Sequence, residues 1–294
     1  MDYKFVDSTG DGVVDDAPFI QSIVAAAGMN QEVYFPKPQV AYRIQTPVTL
    51  RQGQILEFAK YTKIYDYTND YCFKIIGGTG FAVDAKTHVT IKNAEIIGSA
   101  TALGDINLVN LENLKITSYF NVSAKAIYIE DFFQINLKTA QVNATVNEHG
   151  VYVNAVIGNS GQLNLYNTIV QRNRIGIELI GLGNIIDGVN MYGEAIGNDY
   201  GTGMKRGKNV YNVMFIGSHI KNHDIVTYSG DTAIDMVLSD DTVAEGITFF
   251  NCLFENNKYT IKSNNTKRVS LIGCQFSGNN ISGAVAILQG AGDA

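Results

Sequence analysis

From Val89 to Phe276 the chain repeats one eight-residue pattern, apolar–x–apolar–x–(Asn/Gly/Thr)–small–x–apolar. The copies read VTIKNAEI from Val89, VNLENLKI from Val109, INLKTAQV from Ile135 and LNLYNTIV from Leu163. They continue as NIIDGVNM from Asn184, VMFIGSHI from Val213, ITFFNCLF from Ile247 and VSLIGCQF from Val269. Successive starts lie 20 to 34 residues apart, the scale of one solenoid coil rather than of a heptad. Positions 1 and 3 alternate as a short strand does, with side chains of period two directed into a core. Position 5 breaks the alternation. It is Asn93, Asn113, Thr139, Asn167, Gly188, Gly217, Asn251 and Gly273, and Asn and Gly enter the left-handed backbone region at least cost. A strand, a one-residue corner and a second strand, repeated once per coil, predict an all-β chain wound as a single-stranded parallel β-helix. Leucine-rich repeats would need their own leucine and asparagine spacing plus a helix, and neither is present.

Stacked coils place like residues about 4.8 Å apart, so the corner asparagines are expected to form a side-chain ladder. A third strand per coil falls between the octets at 127–129, 151–153 and 177–179, each after a small residue, with weaker members at 260–262 and 285–287. The coil around Met191 lacks a clear third member, and Gly193 to Asn209 is expected to protrude as a loop.

Ahead of the coils, Asp15 or Asp16 can cap a helix over about 16–27, with Pro18 in its first turn, an apolar stripe of Phe19, Ile20, Ile23, Val24 and Ala27, and Gly28 at its stop. Such a helix would plug the open end of the solenoid, where core residues and strand edges otherwise meet water. A calcium loop counted from Asp7 would need a carboxylate where Pro18 stands, which favours the capping role for these aspartates. No cofactor or metal is expected. Residues 1–60 therefore read as a cap and 61–294 as coils.

The segment GDGVVDD from Gly10, the cap helix, and the strands EVYFPKPQVAYRI from Glu32 and VTLRQGQILEF from Val48 resemble the opening of the pectate-lyase-like superfamily, in the version carried by bacteriophage tailspikes and tail fibres. The resemblance implies a right-handed coil with an N-terminal capping helix, assembly as a parallel homotrimer, and a bacterial surface polysaccharide as partner. It carries the fold further than the activity, because one fold hosts many functions. The polygalacturonase motif order fails: Asp240-Asp241 follows, rather than precedes, the near match Glu148-His149-Gly150. No aspartate cluster with an arginine base, as calcium-dependent pectate lyases need, is apparent.

With inward pairs at Ile127/Ile129, Val151/Val153 and Ile177/Leu179, the outward column reads Tyr128, Tyr152, Glu178, flanked by Glu130 and Asn154. Aromatic rings beside carboxylates and amides suit an extended sugar polymer, rings stacking and polar groups bonding hydroxyls. Two carboxyl groups about 5–9.5 Å apart would serve glycoside hydrolysis, and Glu130 and Glu178, two coils apart, are separated by roughly 12 Å of backbone. Glu194 and Asp199 could supply a nearer second carboxylate. Arg174 aligns with Glu148 in the adjacent coil, as a surface ion pair or a clamp on substrate. A second stripe turns from polar to apolar along the chain, through Ile185, Met214, Ile216, Phe250 and Ile272, and marks the expected contact between sister subunits.

Composition narrows the partners. A net charge of −6 argues against a nucleic-acid partner, and no apolar run reaches the roughly 18 residues of a membrane span. Cys72, Cys252 and Cys274 are too few for a disulfide scaffold, and the last two, at position 6 of neighbouring octets, read as stacked thiols in an inner corner. The N-terminus lacks a basic-then-apolar leader, which agrees with release by lysis and with a place in the virion tail. The expectation is a receptor-binding tailspike or tail fibre that recognises a surface glycan, with or without cleaving it. A free-standing bacterial polysaccharide lyase or hydrolase and a purely structural virion β-helix are the alternatives.

Overall fold

Every strand pairing is parallel among the described residues, and like positions of successive octets lie side by side, Ile91 by Leu111, Leu111 by Leu137, Leu137 by Leu165. The computed structural model describes residues 10–28, 31–51, 53–68, 70–76, 89–98, 101–112, 115–118, 125–144, 149–156, 159–171, 173, 175–181, 184–193, 195–197, 202–207, 209–221, 234–236, 244–257, 261–264, 266–278 and 286–289. Three short strands make one coil of a right-handed parallel β-helix. The octet face begins with 32–35 and 55–58 and continues through the octets. Beyond the corner, a second face runs from 41–44 through 62–66 and 94–97 to 275–277. The third face runs from 48–51 and 73–76 through 127–130, 151–154 and 177–180 to 286–289.

The corner is what the octet's fifth residue encodes. Asn93, Thr139, Asn167, Gly193, Gly217, Asn251 and Gly273 all have φ between 49° and 67°. The chain turns there without losing a backbone bond, because each corner N–H donates to the next rung: Thr139 to the Tyr166 carbonyl at 2.8 Å, Asn167 to that of Tyr192 at 2.9 Å, Asn251 to that of Ile272 at 2.8 Å. Asn113 lies outside the described residues. An asparagine ladder does form, one column away at position 2, where Asn164 donates to Asn136 and Asn190 to Asn164, both at 3.0 Å.

One octet reads differently in the structure. Leu163 pairs with Val189, Leu165 with Met191 and Tyr166 with Tyr192, so the octet of this coil is VNMYGEAI from Val189, five residues beyond the expected start. Gly193 is its corner and Ile196 its eighth position. Gly188 misleads because it too is left-handed, with φ 77°, but it faces Asn212 in a separate bend at the start of the octet face, shared with Gly246 and Arg268. Within Gly193 to Asn209 the described residues include strands Ala195–Gly197 and Thr202–Arg206, which pair with the neighbouring rungs where a loop was expected. The second of these strands went unread because Met204 is its one buried apolar residue.

Aliphatic and aromatic side chains from the three faces fill one continuous core from Ile20 to Ile261. Identical rings stack rung on rung, Phe35 on Phe58 at 4.8 Å, Phe215 on Phe249 at 4.8 Å and Phe254 on Phe276 at 5.1 Å. Leu271 and Phe276 point inward yet are 40% exposed, since no described rung of their two faces lies beyond them. At the other end the helix Ala17–Ala26 buries Ala17, Ile20 and Val24 against the first coil. Gln21 clamps it by exchanging hydrogen bonds with both backbone groups of Thr49. The aspartates tie cap to coil rather than only capping the helix: Asp16 Oδ2 accepts from Arg43 N at 2.9 Å, and Asp15 Oδ1 accepts from both Ala17 N and Gln45 N. Cys252 and Cys274 are free thiols, each within reach of the preceding rung's carbonyl, and burial pushes Cys252 up to about 11. Among the described residues no helix is long and apolar enough to cross a membrane.

Small residues at the start of the third face are packing requirements. A Cβ on Gly150 would sit 2.6 Å from the Gly176 carbonyl oxygen and 2.9 Å from Val170 Cγ1. Gly150→Ala is therefore expected to cost about 1–3 kcal/mol, read as a lower urea midpoint; an unchanged midpoint contradicts the register.

Candidate functional site

The third face carries its outward side chains in columns set by the strand register. Tyr128 lies beside Tyr152 and Tyr152 beside Glu178, while Glu130 lies beside Asn154. On the other flank, Lys125 lies beside His149 and His149 beside Ile175. Buried Ala126, Gly150 and Gly176 separate this flanking column from the inward residues. The sequence places these residues on one face because each strand keeps its period of two between fixed corners.

The rings form one axial stack. Tyr71 lies 6.0 Å from Tyr128 with planes 12° apart, and Tyr128 lies 5.6 Å from Tyr152. Lys125 Nζ stands 3.6 Å from the Tyr152 centroid and 4.7 Å from that of Tyr128, close enough for cation–π attraction to both. Neighbours along the axis cover the ring faces, so the stack offers edges and phenols to a ligand. The Tyr128 phenol donates to Glu130 Oε2. Burial first, then that bond, pushes the Tyr128 phenol well above its usual range, and burial with the charges of Asp70 and Glu130 pushes Tyr71 up to about 12. Both phenols are neutral hydrogen-bonding groups at physiological pH.

The stack leads into a buried ionisable pair. His149 Nε2 bonds Glu178 Oε2, with the two side chains only 8% and 5% exposed, and the imidazole meets the Tyr152 ring edge-on at 5.1 Å. Two polar atoms here are buried with no hydrogen-bond partner, His149 Nδ1 and Asn154 Oδ1. An unmade bond at a buried polar atom costs about 1–3 kcal/mol, so such atoms mark places where a ligand group would be rewarded.

Of the residues picked from sequence, the register brings Tyr128, Tyr152, Glu178, Glu130 and Asn154 onto one face; Arg174, Glu194 and Asp199 lie outside the described residues. The sequence reading missed Tyr71, Lys125 and the pairing of His149. Aligning KAIYIE, HGVYVN and IGIELI would have shown Lys125 and His149 in one column. On the octet face, position 4 runs Lys138, Tyr166, Tyr192, Ile216, Phe250, Ile272, with Met214 one column over beside Asn190. Ile185 falls outside that stripe because its octet starts at Val189; it sits at the preceding bend, its N–H donating to Asn159. Met214, Phe250 and Ile272 are exposed apolar side chains on this face.

No family model matches the chain, and no curated protein matches its sequence. Solved structures do match its shape. PfbA, a surface adhesin of Streptococcus pneumoniae, superposes with a TM-score of 0.66 at 13% identity, over 94% of this chain and 91% of its own. The fold is the pectin-lyase-like right-handed β-helix. A protein of Geobacillus virus E2, ORF18, matches with a TM-score of 0.59 at 14% identity over 96% of this chain. The present β-helix spans 59% of that viral protein's length. At such identities the likeness concerns the fold.

A second carboxylate cluster lies near the cap of the β-helix, on the octet face. Lys92 Nζ is 3.3 Å from Glu32 Oε1 and 3.7 Å from Glu57 Oε2. The hydrogen bond between the two glutamates, followed by burial, holds Glu57 above the usual carboxylate value, while the same bond holds Glu32 below it. The upward direction at Glu57 shows that its like-charged neighbour outweighs Lys92. Glu57 thus contributes stability that is present below the unfolded carboxylate range and is lost as pH rises through its folded value; Glu32 contributes with the opposite sign. Glu57→Gln keeps a hydrogen bond and fixes the position neutral. Its melting temperature is expected to exceed that of the wild type at pH 7 and to converge with it near pH 4, whereas a gap independent of pH contradicts the assignment.

Proposed function

We propose that this β-helix is a receptor-binding tailspike or tail-fibre module of a bacteriophage, which recognises a bacterial surface polysaccharide along its third face and depolymerises it there. The observation that carries this reading is the continuous run from the Tyr71–Tyr128–Tyr152 stack into the buried His149–Glu178 pair, with Asn154 Oδ1 unsatisfied further along the same strand. A row of phenol edges and an ammonium, along an extended solenoid, matches the repeating hydroxyls of a polymer better than a compact metabolite. The tailspike-like opening motif and the likeness to a viral protein support the tail assignment, and the likeness to a bacterial surface adhesin fits work at a cell surface. In this reading the protein sits in the virion tail and acts outside the cell.

Recognition is tested on an array of purified capsular and lipopolysaccharide glycans. The wild type is expected to bind at least one of them, and Tyr152→Ala to weaken that binding roughly tenfold, as loss of one ring worth about 1–1.5 kcal/mol would do. Binding to none, with phage particles that attach normally without this protein, contradicts the reading and favours a purely structural β-helix.

Assembly belongs to the same proposal. The stripe of Met214, Ile216, Phe250 and Ile272 is the contact between three parallel copies, since an apolar strip on an otherwise polar solenoid gains most by being covered. Sedimentation is expected to give a trimer, and Phe250→Asp with Ile216→Asp to shift it toward monomer. A wild-type monomer at micromolar concentration overturns the assembly.

A further inference from the structure

We infer that His149 is the proton-accepting catalytic residue of the third-face site, with Glu178 as its positioning residue. The inference deepens the proposed depolymerase reading and rests on it. The two carboxylates on the rungs that flank Tyr152 are already engaged. Glu130 accepts the Tyr128 phenol, and Glu178 takes His149 Nε2. Their strands are two rungs apart, so these two are not the pair of free carboxyls, about 5–9.5 Å apart, that glycoside hydrolysis ordinarily uses.

Behind the outward column lies an imidazole held by a carboxylate on one nitrogen, with the other nitrogen buried and unpartnered. In a neutral imidazole, donation of the Nε2–H to Glu178 leaves the lone pair on Nδ1. That is the chemical state of a general base. The buried carboxylate also balances the charge of the imidazolium that forms when Nδ1 takes a proton, the service a carboxylate performs for histidine in hydrolytic triads. His149 opens the strand His149–Ala155, and the backbone beside it packs too closely on the next rung to admit a Cβ at Gly150. Tyr152 edge-on against the ring removes one more freedom.

The step assigned to His149 is the activation of water. An O–H bond of the water breaks and its proton goes to Nδ1, while the electron pair left on oxygen forms the new bond to the anomeric carbon. The glycosidic C–O bond breaks, its oxygen takes a proton from solvent, and His149 returns its own proton to solvent. Nothing else is consumed.

The test uses the full chain and the polysaccharides it binds on the array, with affinity and the appearance of new reducing ends measured separately. The wild type is expected to cleave. His149→Ala is expected to lower kcat by about 100-fold or more, the scale of general-base catalysis, with KM and affinity within about twofold. Added imidazole is expected to restore cleavage by His149→Ala, which a merely structural histidine would not allow. Glu178→Gln is expected to lower kcat without moving KM, and Glu178→Asp to recover part of the loss. His149→Asn, with its melting curve, guards against a misfolded alanine variant. Cleavage at the wild-type rate by the histidine variants overturns the inference, as does a loss that imidazole leaves unrepaired in a folded variant. A wild type that binds but never cleaves overturns it while recognition stands; a wild type that binds nothing removes both.

Discussion

Parallel stacking in register is the constraint on which the whole molecule depends. Each backbone N–H and C=O of a rung must meet its equivalent in the next, at a spacing of about 4.8 Å, and the turn between faces must not break that pairing. A single left-handed residue per corner satisfies both conditions. Its N–H still reaches the following rung, as Thr139, Asn167, Gly193, Gly217 and Asn251 show. Threonine at this corner is the informative case, because a β-branched residue with φ 53° is strained. The stack of rungs above and below over-determines its conformation, so register outweighs local preference.

The same constraint builds the surface. Whatever a rung presents outward is repeated, one rung on, by whatever stands at the equivalent position. Tyr128 and Tyr152 become stacked neighbours, three asparagines an amide ladder, and Glu57, Lys92, Glu112 and Lys138 a column of alternating charge. Function on such a scaffold arises where a column changes chemical character. On the third face the change is from Tyr152 to Glu178, and the flanking column supplies His149 at that rung. On the octet face it is from Tyr192 to Ile216, where a polar ladder becomes an apolar stripe.

The architecture was legible in the sequence because it is written once per coil. Seven of the eight octets fall where the alternation of apolar residues and the Asn/Gly corner place them, and the outward column Tyr128–Tyr152–Glu178 follows from that register. The eighth failed for a physical reason: Gly188 takes the same left-handed conformation as a corner but serves another bend, and Ile185-Ile186 imitate the start of a strand. That shift of five residues also put Ile185 in the wrong column and made two paired strands look like a loop. The site was only half legible. Outward positions follow from period two, but the meeting of His149 with Glu178 joins residues 29 apart in sequence across two rungs, and His149 stands ahead of the alternating run that begins at Val151. Tyr71, from a coil that precedes the first octet, carried no repeat signal.

The distance between spin labels at two exposed second-face positions tests the stacking most directly. Gln141 and Gln275 lie five rungs apart, by way of Ile169, Ala195, His219 and Leu253. With cysteine labels at these two sites, diluted into unlabelled protein, the account predicts a narrow distribution centred near 24 Å, five steps of about 4.8 Å. A broad distribution, or one centred beyond about 35 Å, would show that the rungs do not superimpose, and the columns derived from them would fall together.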